Sequence, residues 1–218
     1  MELEGFYINL KTRTDRMNSF ECLKKKYPFF KAIKRIDAIY SNYGPLGCSL
    51  SHVKCLNKLQ NMFKNSKYVG IFEDDFEIIN DTNYKSFLQD FKNIENKDWD
   101  LLTFTPLGIK SEIITDFDNY NFKRIYDTRT TTGYIIKREF ITILLKQILY
   151  GAKILKYNKL NNASIRLLSS YKCDQIWKLL QSEYKFIYYK NIFAGQLSGY
   201  SNIEKRDINY NKKFLKQK

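Results

Sequence analysis

The hydrophobic positions of this 218-residue chain fall into short apolar runs separated by stretches of helical period. Phe6-Tyr7-Ile8-Asn9-Leu10, Ala32 to Ile39, Tyr68 to Phe72, Trp99 to Phe104 and Tyr184 to Tyr189 have the length and apolar density of buried strands. Between them, apolar residues recur every three or four positions. Met17, Phe20, Leu23 and Tyr27 form one such set, and Leu50, Val53, Leu56, Leu59 and Phe63 a second. Phe140 to Leu149 forms a third, and Cys173, Ile176, Trp177 and Leu180 a fourth. Each set marks the buried face of a helix. Thr12 or Thr14 is placed to cap the first helix. Ser49 or Ser51 is placed to start the second, after Asn42-Tyr43-Gly44-Pro45-Leu46-Gly47 read as a loop. A further short helix is predicted over Tyr84 to Phe91, a polar loop over 109–121, and a strand pair from Phe122 to Tyr126 and Thr132 to Ile136. The Lys- and Asn-rich stretch 151–170 is ambiguous in sequence, a mobile insertion over a site being one reading. Strands alternating with helices predict an α/β fold with a mixed, mainly parallel sheet flanked by helices.

Composition narrows the class. With 44% hydrophobic and 16% aromatic residues the chain can bury a sizeable core, and its length predicts one domain over 1–200 with a basic C-terminal tail, 201–218. No apolar run reaches membrane-spanning length, and Met1-Glu2-Leu3-Glu4-Gly5 has no leader pattern, so a cytoplasmic location is expected. The four cysteines contain no CxxC pair and the chain has one histidine, so free thiols rather than a zinc site are expected. The net charge of +14 is uneven: between residues 151 and 218, Lys and Arg outnumber Asp and Glu by 14 to 4. Anionic partners follow as candidates, among them phosphorylated small molecules, nucleic acid and an anionic membrane surface touched peripherally.

The candidate chemistry lies in Ile71-Phe72-Glu73-Asp74-Asp75-Phe76. Three successive acids at the end of a buried strand repel one another unless something positive meets them. Carboxylate oxygens suit Mg²⁺ or Mn²⁺, and ligands of α/β sheets sit at the carboxyl ends of strands. A solvated acidic turn is the alternative, and residues alone leave both open. Arg13 and Arg16 share a helix face just past strand one, where a phosphate would sit. His52, near the predicted start of the second helix, is a further candidate, as is Asp174 in the first turn of the last one.

The segment Tyr7-Ile8-Asn9-Leu10-Lys11-Thr12-Arg13-Thr14-Asp15-Arg16 resembles the opening motif of glycosyltransferase family 25. That family includes bacterial lipopolysaccharide-type transferases, collagen galactosyltransferases and relatives in large DNA viruses. Gly44-Pro45-Leu46-Gly47-Cys48-Ser49-Leu50-Ser51-His52 is similar to its second motif, and Ile71 to Asp75 to its acidic, DXD-like motif. Thr132 to Ile136 resembles its later Gly-x-x-Ala-Tyr strand in shortened form, and Cys173-Asp174-Gln175 its downstream Asp motif. The matches run in the family's order over residues 7–175, departing at Gly133-Tyr134, where the family often has a His before Ala-Tyr.

The resemblance implies a GT-A-type, Rossmann-like nucleotide-sugar-binding domain. It implies a glycosyltransferase that moves a hexose from a UDP-sugar to an acceptor hydroxyl, with Mn²⁺ or Mg²⁺ and with inversion. On this reading Asp75 is the metal ligand, and Glu73 and Asp74 lie near the donor ribose and sugar. Asn9, Leu10, Arg13 and Arg16 line the nucleotide pocket, Ser51 and His52 bind donor hydroxyls or a phosphate, and Asp174 is the base. The acceptor is a glycan, a lipid-linked sugar or a protein side chain, the location is the cytoplasm (of a host, or a virion, if the source is viral), and no nucleic-acid partner is expected. The competing readings are a basic nucleic-acid-binding module and a non-catalytic glycan-binding or scaffold domain of the same fold.

Overall fold

The computed structural model of the protein describes residues 2–113, 121–161, 164–201, 203 and 205–210. The chain begins β1 (Gly5–Asn9), α1 (Thr14–Lys26), β2 (Ile33–Asp37), α2 (Gly44–Asn61), β3 (Tyr68–Glu73), β4 (Phe76–Ile78) and α3 (Asp81–Ile94). It continues β5 (Leu101–Thr103), β6 (Leu107–Ile113), β7 (Phe122–Arg129), β8 (Gly133–Lys137), α4 (Ile141–Leu160), α5 (Ile165–Ser170) and α6 (Cys173–Ile176). It closes with β9 (Phe186–Tyr189), β10 (Ala194–Gln196), β11 (Gly199–Ser201) and β12 (Arg206–Ile208). Eight strands form one sheet in the order β2-β1-β3-β8-β5-β9-β7-β6. Six of the eight point the same way, and β8 and β7 run against them. The sheet is thus mixed and mostly parallel in direction, as the alternation predicts.

The strands are apolar on both sides because both faces are covered. Along β1, Phe6 and Ile8 face one core while Tyr7 faces the other; along β9, Phe186 and Tyr188 alternate with Ile187 and Tyr189. One face packs under α1 and α3 and is mostly aromatic, with Phe20, Phe30, Phe72, Phe76, Phe87, Phe91 and Phe104 in edge and tilted contacts. The other packs under α2 and α4 with aliphatic residues and Trp177. Two small pairings complete the fold: β4 with β10, and the hairpin β11–β12.

Several local expectations give way to tertiary context. Helix α2 starts at Gly44, not at Ser49 or Ser51. Pro45 stands in its first turn, where a missing N–H costs nothing. Ser51 and His52 are therefore in mid-helix and not at a helix start. Helix α1 begins with Arg13 at its cap and neither threonine makes a capping hydrogen bond. The expected strand pair is not a pair: β7 bonds β9 and β6, while β8 lies between β3 and β5. Part of the expected 109–121 loop is β6, and 114–120 lie outside the described residues. Residues 151–160 continue α4 instead of forming an insertion, with 162 and 163 again outside the described residues. The last predicted helix is one short turn, α6, followed by a 3-10 segment. Of the tail, 205–210 return in the β11–β12 hairpin, and 211–218 lie outside the described residues. Among the described residues, no helix is long and apolar enough to cross a membrane.

The β1–β3 pairing depends on two glycines set face to face. A Cβ on Gly5 would lie 2.0 Å from the Gly70 carbonyl oxygen, a backbone atom that cannot turn aside, and Gly5 has φ +153°. A Cβ on Gly70 would instead meet the Leu3 and Phe72 side-chain ends, each at 2.7 Å. We therefore expect Gly5→Ala to cost about 3 kcal/mol or more, a melting-temperature drop on the order of 10 °C. Gly70→Ala should cost clearly less. Equal losses in thermal unfolding would show that backbone approach does not fix this pairing.

Candidate active site

The carboxyl ends of β1 and β3 lie side by side, with Ile8 opposite Glu73. The chain leaves β3 through Asp74 and Asp75 and re-enters the core at once at Phe76. Phe72 and Phe76 pack on each other with ring centroids 4.9 Å apart, so apolar residues pin both ends of the acidic turn. Gly133 at the start of β8 makes room for this. A Cβ there would lie 2.6 Å from the Phe76 ring.

Each acid has its own partners. Arg16, from the first turns of α1, bonds Asp75 Oδ2 at 2.9 Å and Asp74 Oδ1 at 3.4 Å. Asn9 Nδ2 donates to Asp74 Oδ2 at 2.7 Å and to the Arg13 carbonyl at 3.0 Å, while Arg35 Nε donates to Asn9 Oδ1 at 2.9 Å. Glu73 Oε1 lies 3.2 Å from His52 Nε2 and accepts from Thr131 Oγ1 at 2.7 Å. His52 Nδ1 meets the Tyr134 hydroxyl at 3.0 Å, and the two rings stack.

These surroundings set the charges. Burial pushes the Asp75 carboxyl up to about 7, reinforced by Glu73 and only partly opposed by Arg16. Burial also raises Asp74, against the Asn9 hydrogen bond and Arg16. Burial acts on Glu73 in the same sense, but there the His52 hydrogen bond and charge, with Thr131 and Arg16, outweigh it and hold the carboxyl below its usual value. Three carboxyl groups thus share Arg16 and His52, and Asp75 Oδ1 is buried with no hydrogen-bond partner among the described residues. An orphaned carboxylate oxygen beside two more acids is a donor set that fits a hard divalent cation.

Two clefts open on this turn. One, of about 410 Å³, is lined by Leu10, Arg13, Arg16, Ser51, His52 and all three acids, together with Tyr200 and Lys205 of the terminal hairpin. Arg13 and Arg16 each donate to the Tyr200 carbonyl at 3.1 Å. The other, of about 960 Å³, is lined by Asp174, Lys172, Arg129, Thr131 and Gln196, and again by Glu73 and Asp75. Asp174 accepts from Gln175 Nε2 at 3.2 Å, and burial raises its carboxyl above the usual range.

The structure therefore brings nine of the expected residues to cleft walls and places Asn9 behind the first one, buried and holding Asp74 and Arg13 in register. His52 has no exposed surface and both ring nitrogens are engaged. The Ser51 hydroxyl donates to the Gly47 carbonyl and accepts from Ile39 N–H, tying β2 to α2. The sequence alone assigns no site role to Thr131, Tyr134, Arg35 or the hairpin. The run Thr128-Arg129-Thr130-Thr131-Thr132 before an apolar strand was the available signal. Thr130 has φ +77°, strained for a β-branched residue, and the turn it makes delivers Thr131 to Glu73.

Comparison with known proteins follows the same lines. A glycosyltransferase involved in the glycosylation of the major capsid of PBCV-1 matches with a TM-score of 0.56 at 9% identity, covering 94% of this chain and 97% of that one. A mannose-1-phosphate geranyltransferase from Thermus thermophilus matches with a TM-score of 0.44 at 10% identity over 86% of this chain, which spans 59% of the length of that one. The curated proteins give no match. Residues 41–160, more than half of the chain, match the family model of glycosyltransferase family 25, described as an LPS biosynthesis protein. With that match and this architecture, the chain belongs to glycosyltransferase family 25.

Proposed function

We propose that the chain moves a hexose from a UDP-sugar to an acceptor hydroxyl, with a divalent cation and with inversion at the anomeric carbon. The observation that carries this reading is that Glu73 and Asp75 line both clefts. A single displacement needs a donor on one side of the reacting carbon and an acceptor on the other. The smaller cleft has guanidinium groups for a diphosphate and apolar and hydroxyl surface for a nucleoside. The larger cleft has room for a sugar or a side chain and carries Asp174.

In this reading Leu10, Arg13 and Arg16 line the nucleotide site, and Asn9 holds Arg13 and Asp74 toward it. Asp74 and Glu73 face the donor ribose and sugar. Ser51 and His52 act on the donor indirectly from behind the cleft surface, Ser51 by tying β2 to α2 and His52 by fixing Glu73 in its ionised form. Asp75 would hold a Mn²⁺ or Mg²⁺, which when bound would supply positive charge against the leaving diphosphate. The acceptor hydroxyl oxygen bonds to the anomeric carbon while the bond from that carbon to the diphosphate oxygen breaks. The hydroxyl proton passes to Asp174, and the nucleoside diphosphate leaves with the electron pair. The acceptor is a glycan, a lipid-linked sugar or a protein side chain.

Mn²⁺ and UDP together should raise the melting temperature. At ligand concentrations about 100-fold above Kd the gain is about 2.7 kcal/mol, roughly 5–10 °C for a chain of this size. Asp75→Ala should abolish the manganese-dependent part while its own unfolding remains cooperative. A UDP response that is indifferent to manganese and to Asp75 would remove the cation from the mechanism.

For Asp174→Asn, we expect kcat to fall about 10²- to 10⁴-fold with donor affinity unchanged. The base must be unprotonated to act, and burial raises this carboxyl. The wild-type rate should therefore fall with decreasing pH along a limb lying above the ordinary carboxylate range. Loss of donor binding in Asp174→Asn, measured by calorimetry, or the same acid limb in its residual activity, would assign the base elsewhere.

A further inference from the structure

Behind the acidic turn lies a group of side chains of which the proposed transfer uses only His52, through its contact with Glu73. Cys48 and His52 stand one helical turn apart on α2, and Cys173 begins α6. Their donor atoms, two thiol sulfurs and one imidazole nitrogen, all lie within 4.8 Å of one another, and the two sulfurs are 3.4 Å apart. His52 and Cys173 are buried and Cys48 is half-buried. The sequence offers no hint of this meeting, because the two cysteines are 125 residues apart.

We infer that Cys48, His52 and Cys173 form a binding site for a soft or borderline divalent cation of the Zn²⁺ class, separate from the carboxylate site at Asp75. The spacing is the first argument. Zinc–sulfur bonds of about 2.3 Å and zinc–nitrogen bonds of about 2.0–2.1 Å place tetrahedral ligand atoms roughly 3.5–3.8 Å apart. Separations of at most 4.8 Å reach that geometry by closing no more than about 1.3 Å. The second argument is the imidazole. Its Nδ1 already meets the Tyr134 hydroxyl, the outer hydrogen bond that orients a ligating histidine, so Nε2, which now faces Glu73, is the nitrogen turned toward a metal. The third is a further donor in reach. Glu73 Oε1 is 3.2 Å from Nε2, close to the roughly 3.3 Å that separates nitrogen and oxygen ligands on one zinc. Thr131 bridges the ring of ligands, with its hydroxyl 2.7 Å from Glu73 Oε1 and 3.5 Å from Cys173 Sγ.

Binding forms two metal–thiolate bonds and one metal–imidazole bond, and the two thiols release their protons to solvent. No oxidant or reductant takes part. The bound ion joins α2, which lines the smaller cleft, to α6, where Asp174 follows Cys173 directly. It is thus a clamp between the two halves of the site. The inference does not depend on which cleft holds the donor.

The test uses the full chain, reduced and stripped by chelator, titrated with Co²⁺ as the spectroscopic probe and then with Zn²⁺. We expect a 1:1 complex with thiolate-to-cobalt charge transfer and the strong visible bands of four-coordinate cobalt, bleached by Zn²⁺ and untouched by excess Mn²⁺. Cys48→Ser and Cys173→Ser should each weaken Zn²⁺ binding at least about 100-fold, while Asp75→Ala should keep the cobalt spectrum. A wild-type chain that gives the cobalt bands but no manganese response would therefore count against the carboxylate site alone. Should a serine variant fail to fold, zinc protection of the wild-type thiols against alkylation serves instead. Cys48 and Cys173 should be shielded, with exposed Cys22 labelled equally in both samples. Weak six-coordinate cobalt bands, thiol bands that persist in the double serine variant, or no protection of Cys48 and Cys173 would overturn the inference.

Discussion

Three consecutive carboxyl groups at the end of a buried strand are costly, and most of the polar architecture here answers that cost. Desolvating a carboxylate takes several kcal/mol even after relaxation, and neighbouring like charges add to it. Arg16 arrives from α1, His52 from the middle of α2, Thr131 from the turn before β8, and Asn9 from the end of β1. No two of these come from one element, so the whole parallel half of the sheet must be in place before the acids are satisfied. The compensation is also incomplete, since Asp75 is driven toward its neutral form and keeps an oxygen with no partner among the described residues. A chain selected for stability alone would have replaced such a group with an apolar one. Its retention at a cleft wall points to use.

The apolar scaffold makes that electrostatic load bearable. The sequence Phe-Glu-Asp-Asp-Phe alternates anchor and load. Phe72 and Phe76 both enter the aromatic face of the sheet and contact Phe30 and Phe104, so the turn between them has little freedom. Two buried phenylalanines each contribute about 2–3 kcal/mol of burial, comparable to the cost of the charges they flank. Gly133 takes part by its missing side chain, which lets the Phe76 ring lie against β8. The acids are therefore positioned by packing, and hydrogen bonds then orient their oxygens.

What the sequence disclosed and what it withheld divides along the range of the interactions. Strand runs such as Phe6 to Asn9 and Tyr68 to Phe72 were legible because burial on both faces writes itself as continuous apolar sequence. The acidic motif was legible because three charges beside such a run break an otherwise uniform pattern. The start of α2 was misplaced because Gly44-Pro45 carries turn chemistry, although proline also suits a first helical turn. The β7–β8 pairing was misread because adjacency in sequence is only a bias. Strand β8 pairs instead with β3 and β5, a choice made by Gly133 and Tyr134 against residues some 60 positions earlier. Thr131, Tyr134 and the Tyr200 carbonyl have ordinary local sequence, and only the fold gives them a task.

The chemistry of the two donor sets also explains why one carboxylate can border both without confusion. Asp75 offers only oxygen, with Asp74 beside it, and such a set favours ions that keep water and exchange quickly. Cys48 and Cys173 offer sulfur, which magnesium and manganese compete for poorly. Glu73 stands between them with Oε1 turned to His52 and Thr131. Hardness of the ligand atoms, not distance, would then sort the ions. A slowly exchanging cation would hold α2 and α6 together, while a labile one would come and go with each diphosphate.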